Sequence, residues 1–460
     1  MNIMRLSEIK FSLLLIFILQ VNILNARDYI VNSAKEIDEL NLVAGDKVLL
    51  KKGVWKNQTL IFKGKGTLDK PIVFKAEKEG ETIVSGNSTL VIDGEFLIVQ
   101  GLVFRDGEAF KKNVIAFSEQ SKNCRLTNTS ITKYDNSDKK MRNSWIVLYG
   151  EKNRVDHCYV KGKTSLGTTV GVYVSNKPNY HRIDHNYFDG RPPYGGNGGE
   201  IIRAGVDQTS LLDSYTTIEN NIFDNCDGEI EVVSNKSTHN TIRNNLFFEC
   251  SGMLTLRHGN YANVYDNLFI GNKKKDSGGV RIIGENHKVY NNYFHGLTGR
   301  GLSAAITFMN AWENPPLWGY WQVKNAEVYN NTLIDCEEPF VIGSGKNEKT
   351  FLPLLNTNVF KNYISGTASV VVWEEATAKT PQNVRFNDNL LQGNTKEPGF
   401  TAVATKNRIN KYDLIYPKEA NSQVGFPPLT KEQVQLLEGK DIGPAWQKLN
   451  KKFKIKNQKL

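Results

Sequence analysis

One short arrangement of apolar and polar positions recurs along most of the chain: a β-branched or aliphatic residue, two variable residues, Asn, one more residue, then an apolar one. It reads Ile183-Asp184-His185-Asn186-Tyr187-Phe188 and returns from Ile218, Ile242, Val264, Val289, Val328, Val359 and Phe386. Degenerate copies start at Ile98, Leu126 and Val155, with Gly101, Thr129 and Cys158 at the fourth position. Successive fourth positions lie 22 to 39 residues apart. Apolar and polar residues alternate within each copy at the period of a strand, and no helical period links the copies. Units of this length cannot bury a face alone, and stacked coil on coil they make a parallel β-helix rising about 4.8 Å per turn. The recurring Asn is expected at a tight bend, in the left-handed conformation and bonded to its own backbone.

The pattern is weaker at both ends. Ser33 and Glu36 form an S-x-x-E capping box, which predicts a short helix over 33–40. A second short helix is expected near Thr430–Leu437. The organisation read from the chain is therefore a leader at 1–26, an N-terminal cap at 27–60, the β-helix at 61–405, and a C-terminal cap with a basic tail at 406–460. Arg5 and Lys10 precede the apolar run Phe11–Leu24, which exits at Asn25-Ala26. That is the form of a secretory signal peptide, and the run is short for a membrane anchor. No later stretch is long enough to cross a bilayer, so the mature chain is expected to be periplasmic or secreted.

Composition narrows the partner. With 40% hydrophobic and 23% charged residues, the chain is neither disordered nor a polytopic membrane protein. Its net charge is +10, and the first 26 residues contribute only Arg5, Glu8 and Lys10. A basic surface suits nucleic acid or an anionic polysaccharide, and export selects the polysaccharide. Cys124, Cys158, Cys226, Cys250 and Cys336 are odd in number and widely spaced, so they read as buried hydrophobes rather than a disulfide framework. His181 and His185, on predicted strand and turn, read as ladder residues. Nothing in the sequence demands more than a monomer.

Chemistry concentrates in four successive coils. Glu229 and Glu231 are spaced to share one face of a strand, with Lys236 just beyond it. Asn197, Glu200 and Arg203 lie one coil earlier, Arg257 and His258 one coil later, and Arg281 one further on. Stacking would gather them in one patch. Carboxylates with an amide oxygen suit Ca²⁺, and a lysine among arginines suits an acidic sugar. In a uronate the C5–H lies beside a carboxylate whose charge must be neutralised before the proton can leave. A lysine can take that proton only as the free amine. Trp312, Trp318, Tyr320 and Trp321 crowd an insertion in the largest gap of the repeat, expected either to wall the groove or to pack on itself.

The segments NGGEIIRAG (197–205), DGEIEVVSNKS (227–237), LTLRHGN (254–260) and GGVRIIGENH (278–287) resemble polysaccharide lyase family 6, the alginate and chondroitin B lyases. The resemblance implies a right-handed β-helix and cleavage by β-elimination. By position it implies Lys236 as Brønsted base and Arg257 as acid. It implies Asn197, Glu229 and Glu231, with Glu200, as Ca²⁺ ligands, and Arg203, His258 and Arg281 lining the substrate subsites. Tyr320 in the aromatic insertion is added as a substrate contact.

The reading is an exported alginate lyase, because 278–287 and NPPLWGYWQVKNA (314–326) look most like alginate-cleaving members. A dermatan sulfate lyase, a C5-epimerase that abstracts the same proton, and a non-catalytic glycan-binding β-helix are the alternatives. A hydrolase would need two opposed carboxyl groups, which one strand face does not supply.

Overall fold

A computed structural model describes residues 26–345, 347–374, 382–403, 408–416, 424–449 and 451–456. Residues 1–25 of the expected leader and Lys459 of the basic tail lie outside the described residues. Among the described residues, no helix is long and apolar enough to cross a membrane.

Each inner coil contributes one strand to each of three parallel sheets of 14, 12 and 14 strands, wound always in the same order, and only the terminal coils are incomplete. The fold is an all-β parallel β-helix. Its recurring phrase is the corner between the first sheet and the third: Arg182–Asp184 belongs to one and Tyr187–Asp189 to the other. The bend differs from expectation by one residue. The left-handed conformation falls on the third position, at His185, Asn220, Asn244, Asp266, Asn291, Asn330, Lys361 and Asp388. The Asn that follows turns inward and is fully buried in the copies at 186, 221, 245, 267, 292, 331, 362 and 389. Its side chain bonds the neighbouring coils and, at Asn221, Asn245, Asn267 and Asn292, also the carbonyl two residues back in its own coil. Each side-chain oxygen accepts from the backbone N–H of the preceding coil, as from Asn186 to Asn221 at 3.0 Å and from Asn245 to Asn267 at 3.0 Å. Each amide also donates to buried carbonyls, as Asn267 does to Ile242 and Tyr265 at 3.0 Å. A sharp corner exposes backbone polar groups to the core, and the ladder satisfies them without water.

Apolar residues stack behind the ladder in the same way. The rings of Phe188, Phe223, Phe247, Phe269 and Phe294 follow one another 4.6–5.2 Å apart. All five cysteines are free and buried. His181 and His287 accept backbone N–H bonds from Asn153 and Ala262 at 3.1 Å, and His185 stacks on His157 at 4.9 Å.

The ends correct two boundaries. Strands Asp28–Val31, Lys47–Leu50 and Gly53–Lys56 already pair in the ladders, because their apolar residues keep the alternation of the later coils. Helix α1 (Ala34–Asp38), capped by Ser33, lies against the first strand of the 12-stranded sheet and bonds Gln58. At the other end, the chain beyond residue 408 does not close the final coil. It turns back along the outside of the third sheet. Phe426 bonds Thr332, Ile415 bonds Tyr293, helix α2 (Lys431–Leu437) reaches Asp266 through Gln433, and Trp446 bonds Asn128. A second apolar cluster results, with Phe426, Leu436, Leu437 and Phe453 packed on Tyr187, Leu246, Tyr293 and Tyr363.

Candidate active site

The 12-stranded sheet carries the site. Arg203, Ser234, Thr255, Arg281 and Thr307 stand at one register on five adjacent strands. Between them the pairing of Glu231–Lys236 with Met253–His258 slips twice. Val232 is the extra residue at one end and Arg257 at the other. A bulge kinks its strand and re-aims the side chain it releases. Here the second bulge pairs Lys236 with His258 and leaves Arg257 projecting beside them.

These three meet a residue absent from the sequence reading. Asp207 sits in the single turn Asp207–Thr209 that follows strand Ile202–Ala204. The turn is entered through Gly205 at φ +100°, where a side chain would lie 2.3 Å from the Lys236 carbonyl. Lys236 Nζ donates to Asp207 Oδ1 at 3.1 Å, His258 Nε2 stands 3.4 Å from the same oxygen, and Arg257 Nη1 lies 3.4 Å from His258 Nδ1. Burial draws the Asp207 carboxyl upward, but Lys236, His258 and Arg257 outweigh it and hold it below the usual range. Burial, reinforced by Arg257 and Lys236, pushes His258 down to about 3. It is therefore a neutral imidazole at neutral pH. A proton on Nε2 lets Nδ1 accept from Arg257 while Nε2 faces Asp207 without closing a hydrogen bond to it, so Asp207 and His258 stand between Lys236 and Arg257. A cavity of about 270 Å³ opens beside them, lined by Arg142, Asn197, Glu200, Arg203, Gln208 and Lys236 among others.

The acidic half departs from the simple strand picture. Only Glu231 lies on the strand; Glu229 is in the bend before it. The backbones of Gly199 and Gly228 approach too closely there for either to carry a side chain. Glu229 Oε2 accepts from the N–H groups of Gly198 at 2.8 Å and Gly199 at 3.3 Å. Glu231 accepts from Arg281 at 2.6 Å and from the Ser234 hydroxyl. Arg281 is accordingly buried in this pair, not presented to the groove. Arg203 lies 3.9 Å from one Glu200 oxygen, and the other Glu200 oxygen is buried without a partner. Burial, with the charges of Glu200 and Glu231, pushes Glu229 up to about 7 despite its two N–H donors.

Among the described residues, no group of three or more His, Cys, Asp or Glu is gathered to hold a metal ion. The orphaned Glu200 oxygen and the reluctance of Glu229 to ionise nonetheless suit a hard cation at this cluster. Glu231 would have to share itself with Arg281.

A second residue without a sequence signal shapes this half. Arg191 is buried and donates to the carbonyls of Glu200 at 2.7 Å, Gly167 at 2.9 Å, Ser165 at 3.1 Å and Gly198 at 3.2 Å. It ties the 197–200 segment to the coil before it. Only its place two residues after strand Tyr187–Asp189, where the chain leaves the ladder, marks it.

A family profile described as chondroitinase B matches residues 31–454. No curated protein matches the chain. Among solved structures it is similar to the polysaccharide lyase family 6 alginate lyase AlyGC, at 35% identity and a TM-score of 0.85. That likeness covers 92% of this chain but 59% of AlyGC, so the chain spans about three fifths of that protein. It is similar also to a mannuronic acid-specific family 6 lyase from human gut microbiota, at 32% identity, TM-score 0.79, and 92% and 97% coverage of the two chains. A family 6 polysaccharide lyase from Pseudopedobacter saltans matches at 28% identity, TM-score 0.71, and 86% and 98% coverage.

Proposed function

The chain belongs to the chondroitinase B family, polysaccharide lyase family 6, and from that premise we propose that it cleaves alginate by β-elimination, leaving 4,5-unsaturated ends. The observation that carries the reading is the gathering of Lys236, Asp207, His258 and Arg257 beside a cavity lined by Arg142 and Arg203.

In this reading Lys236, as the free amine, takes the C5 proton of a bound uronate. The C5 electrons form the C4–C5 double bond as the C4–O4 bond breaks, and O4 departs with the leaving chain. Arg257 meets that oxygen as a charge-assisted donor; a guanidinium keeps its own proton, so it acts mainly by stabilising developing negative charge. His258, neutral at working pH, adds no competing cation and orients Arg257. Arg203 and Arg142 line the cavity and bring positive charge to the substrate carboxylates. Asn197, Glu200, Glu229 and Glu231 would hold a Ca²⁺ ion, whose chemistry there is neutralisation of an acidic sugar. The leader expected at 1–26 fits action outside the cytoplasm, by a monomer.

Alginate is preferred because the two structures at 32% and 35% identity are named for alginate or mannuronic acid. The family description keeps dermatan sulfate as the second substrate. The test is ultraviolet absorbance of the new double bond, with alginate, its mannuronate-rich and guluronate-rich fractions and dermatan sulfate, each with and without EDTA. A rise on alginate is expected. A rise only on dermatan sulfate would replace the substrate, and no rise with folded protein would leave the epimerase or binding alternatives.

A further inference from the structure

The insertion that interrupts the repeat is built as a brace. Ala311 pairs with Leu352 through reciprocal backbone bonds of 3.0 and 2.9 Å, and Trp312 N–H donates to the Tyr320 carbonyl at 3.0 Å, closing the base of the loop. The Trp312 indole N–H donates to Thr350 at 2.8 Å, and its ring packs against Trp318 at 5.3 Å and Tyr320 at 5.6 Å. At the tip Gly319 bonds back to Pro316 at 2.7 Å. A side chain on Gly319 would lie 2.7 Å from the Pro315 ring and 3.0 Å from Trp312. This tight tip turns two successive carbonyls toward the rod. Both are taken by Arg257: Nη1 donates to Gly319 at 3.0 Å and Nη2 to Trp318 at 3.1 Å. The Tyr320 ring lies beneath the same guanidinium, 4.3 Å from its centre.

The fork is therefore fixed on three sides by the loop and on a fourth by His258. Of its five N–H groups, Nε and one on Nη2 have no protein partner among the described residues. A guanidinium clamped by neutral carbonyls and an aromatic face keeps its charge and loses its rotational freedom. That is what stabilising one departing oxygen requires, because a misdirected donor forfeits most of its effect.

We propose that the 312–321 insertion is a positioning clamp for Arg257, and that Tyr320 acts on the reaction through Arg257 rather than by touching the sugar. This revises Tyr320's part as a substrate contact: one face of its ring is taken by the guanidinium. The inference rests on the reading of Arg257 given above, and its test separates the two. Turnover on alginate is measured for Arg257→Ala, Tyr320→Phe, Tyr320→Leu, Arg257→Lys and the double variant Arg257→Lys/Tyr320→Leu, with thermal unfolding of each. Tyr320→Phe keeps the ring and should hold kcat within about threefold. Tyr320→Leu removes it and should lower kcat about tenfold with KM nearly unchanged. In the Arg257→Lys background the same Leu substitution should cost less than about threefold, because the pair acts as a unit. A rise in KM with kcat intact, or an undiminished loss in the Lys background, would make Tyr320 an independent sugar contact and overturn the clamp. Full activity in Arg257→Ala would instead remove Arg257 from the reaction and fail the earlier reading.

Discussion

The Asn-lined corner and the bulged stretch of the 12-stranded sheet are built from the same coils by the same stacking, yet they differ in how completely they are finished. At the corner each ladder Asn is buried with its donors and acceptor engaged, and the unpartnered atoms there are the side-chain oxygens of the left-handed residues Asn220, Asn244 and Asn330 beside it. In the bulged stretch the pairing slips twice, and Glu200 Oε2, Arg203 Nε, Thr255 Oγ1, Arg281 Nε and Thr307 Oγ1 are buried without partners. Repetition satisfies polar groups most cheaply, because one solution serves every coil. Where it lapses, five unpartnered polar atoms fall on or beside neighbouring strands of one sheet, and a site for a charged ligand is the simplest reason for tolerating them.

That contrast can be broken experimentally, first at the site. Lys236→Ala should lower kcat by about 10²–10⁴ while the unfolding midpoint stays close to wild type. A retained rate would take the base away from this bulge. The reverse result is expected at the corner. Asn267→Ala strands the acceptors on Ile242 and Tyr265 and both neighbours in the ladder, and should cost about 3 kcal/mol by urea unfolding, with kcat of the folded fraction unchanged.

Glu229 gives an effect of intermediate size with a sign that depends on pH. Its folded carboxyl holds a proton up to about 7, whereas an ordinary glutamate ionises near 4.5. Between those values the native state binds more protons than the unfolded chain, so this group's contribution to stability falls as pH rises through the window. Glu229→Gln should match wild type near pH 4 and exceed it by about 2 kcal/mol at pH 8. Equal midpoints at pH 8 would show that the acidic cluster is not strained. The smallest effect is expected at Thr255, whose buried hydroxyl has no partner. Thr255→Val should stabilise by less than about 1 kcal/mol or leave stability unchanged, and a clear loss would reveal a bond that the free chain conceals.

The same contrast explains what could be read from the sequence. The ladder was legible because it repeats, down to Cys158 standing at the head of the Asn series and donating its N–H to Asn186. Even so, the left-handed residue and the ladder residue were merged into one, since spacing does not say which of two adjacent polar residues turns inward. Lys236, Arg257 and Glu229 were legible as a motif, not as geometry. The bulges that set Lys236 against His258 arise from a mismatch between two strands and leave no mark in either alone. Asp207 belongs to a single turn with no motif, and reaches Lys236 across 29 residues of chain. Arg191 looks like any loop arginine until the carbonyls around it are counted. The course of the C-terminal segment was hidden for a similar reason: its apolar residues are sparse and find their partners more than 90 positions away, as Phe426 finds Thr332.

That returning segment changes how the rod comes apart and how it is made. A bare solenoid holds together through neighbours only, so it can fray from an end one turn at a time. Here Phe426, Gln433, Gly443 and Trp446 fasten successively earlier coils, at Thr332, Asp266, His185 and Asn128. Threads laid lengthwise bind the stack into one cooperative body. They are also made after every coil they fasten, so coils formed early wait, with the apolar outer face of their third sheet bare, until this segment has emerged. The finished protein gains resistance to unravelling, and the nascent one passes through an interval in which it is most exposed to aggregation.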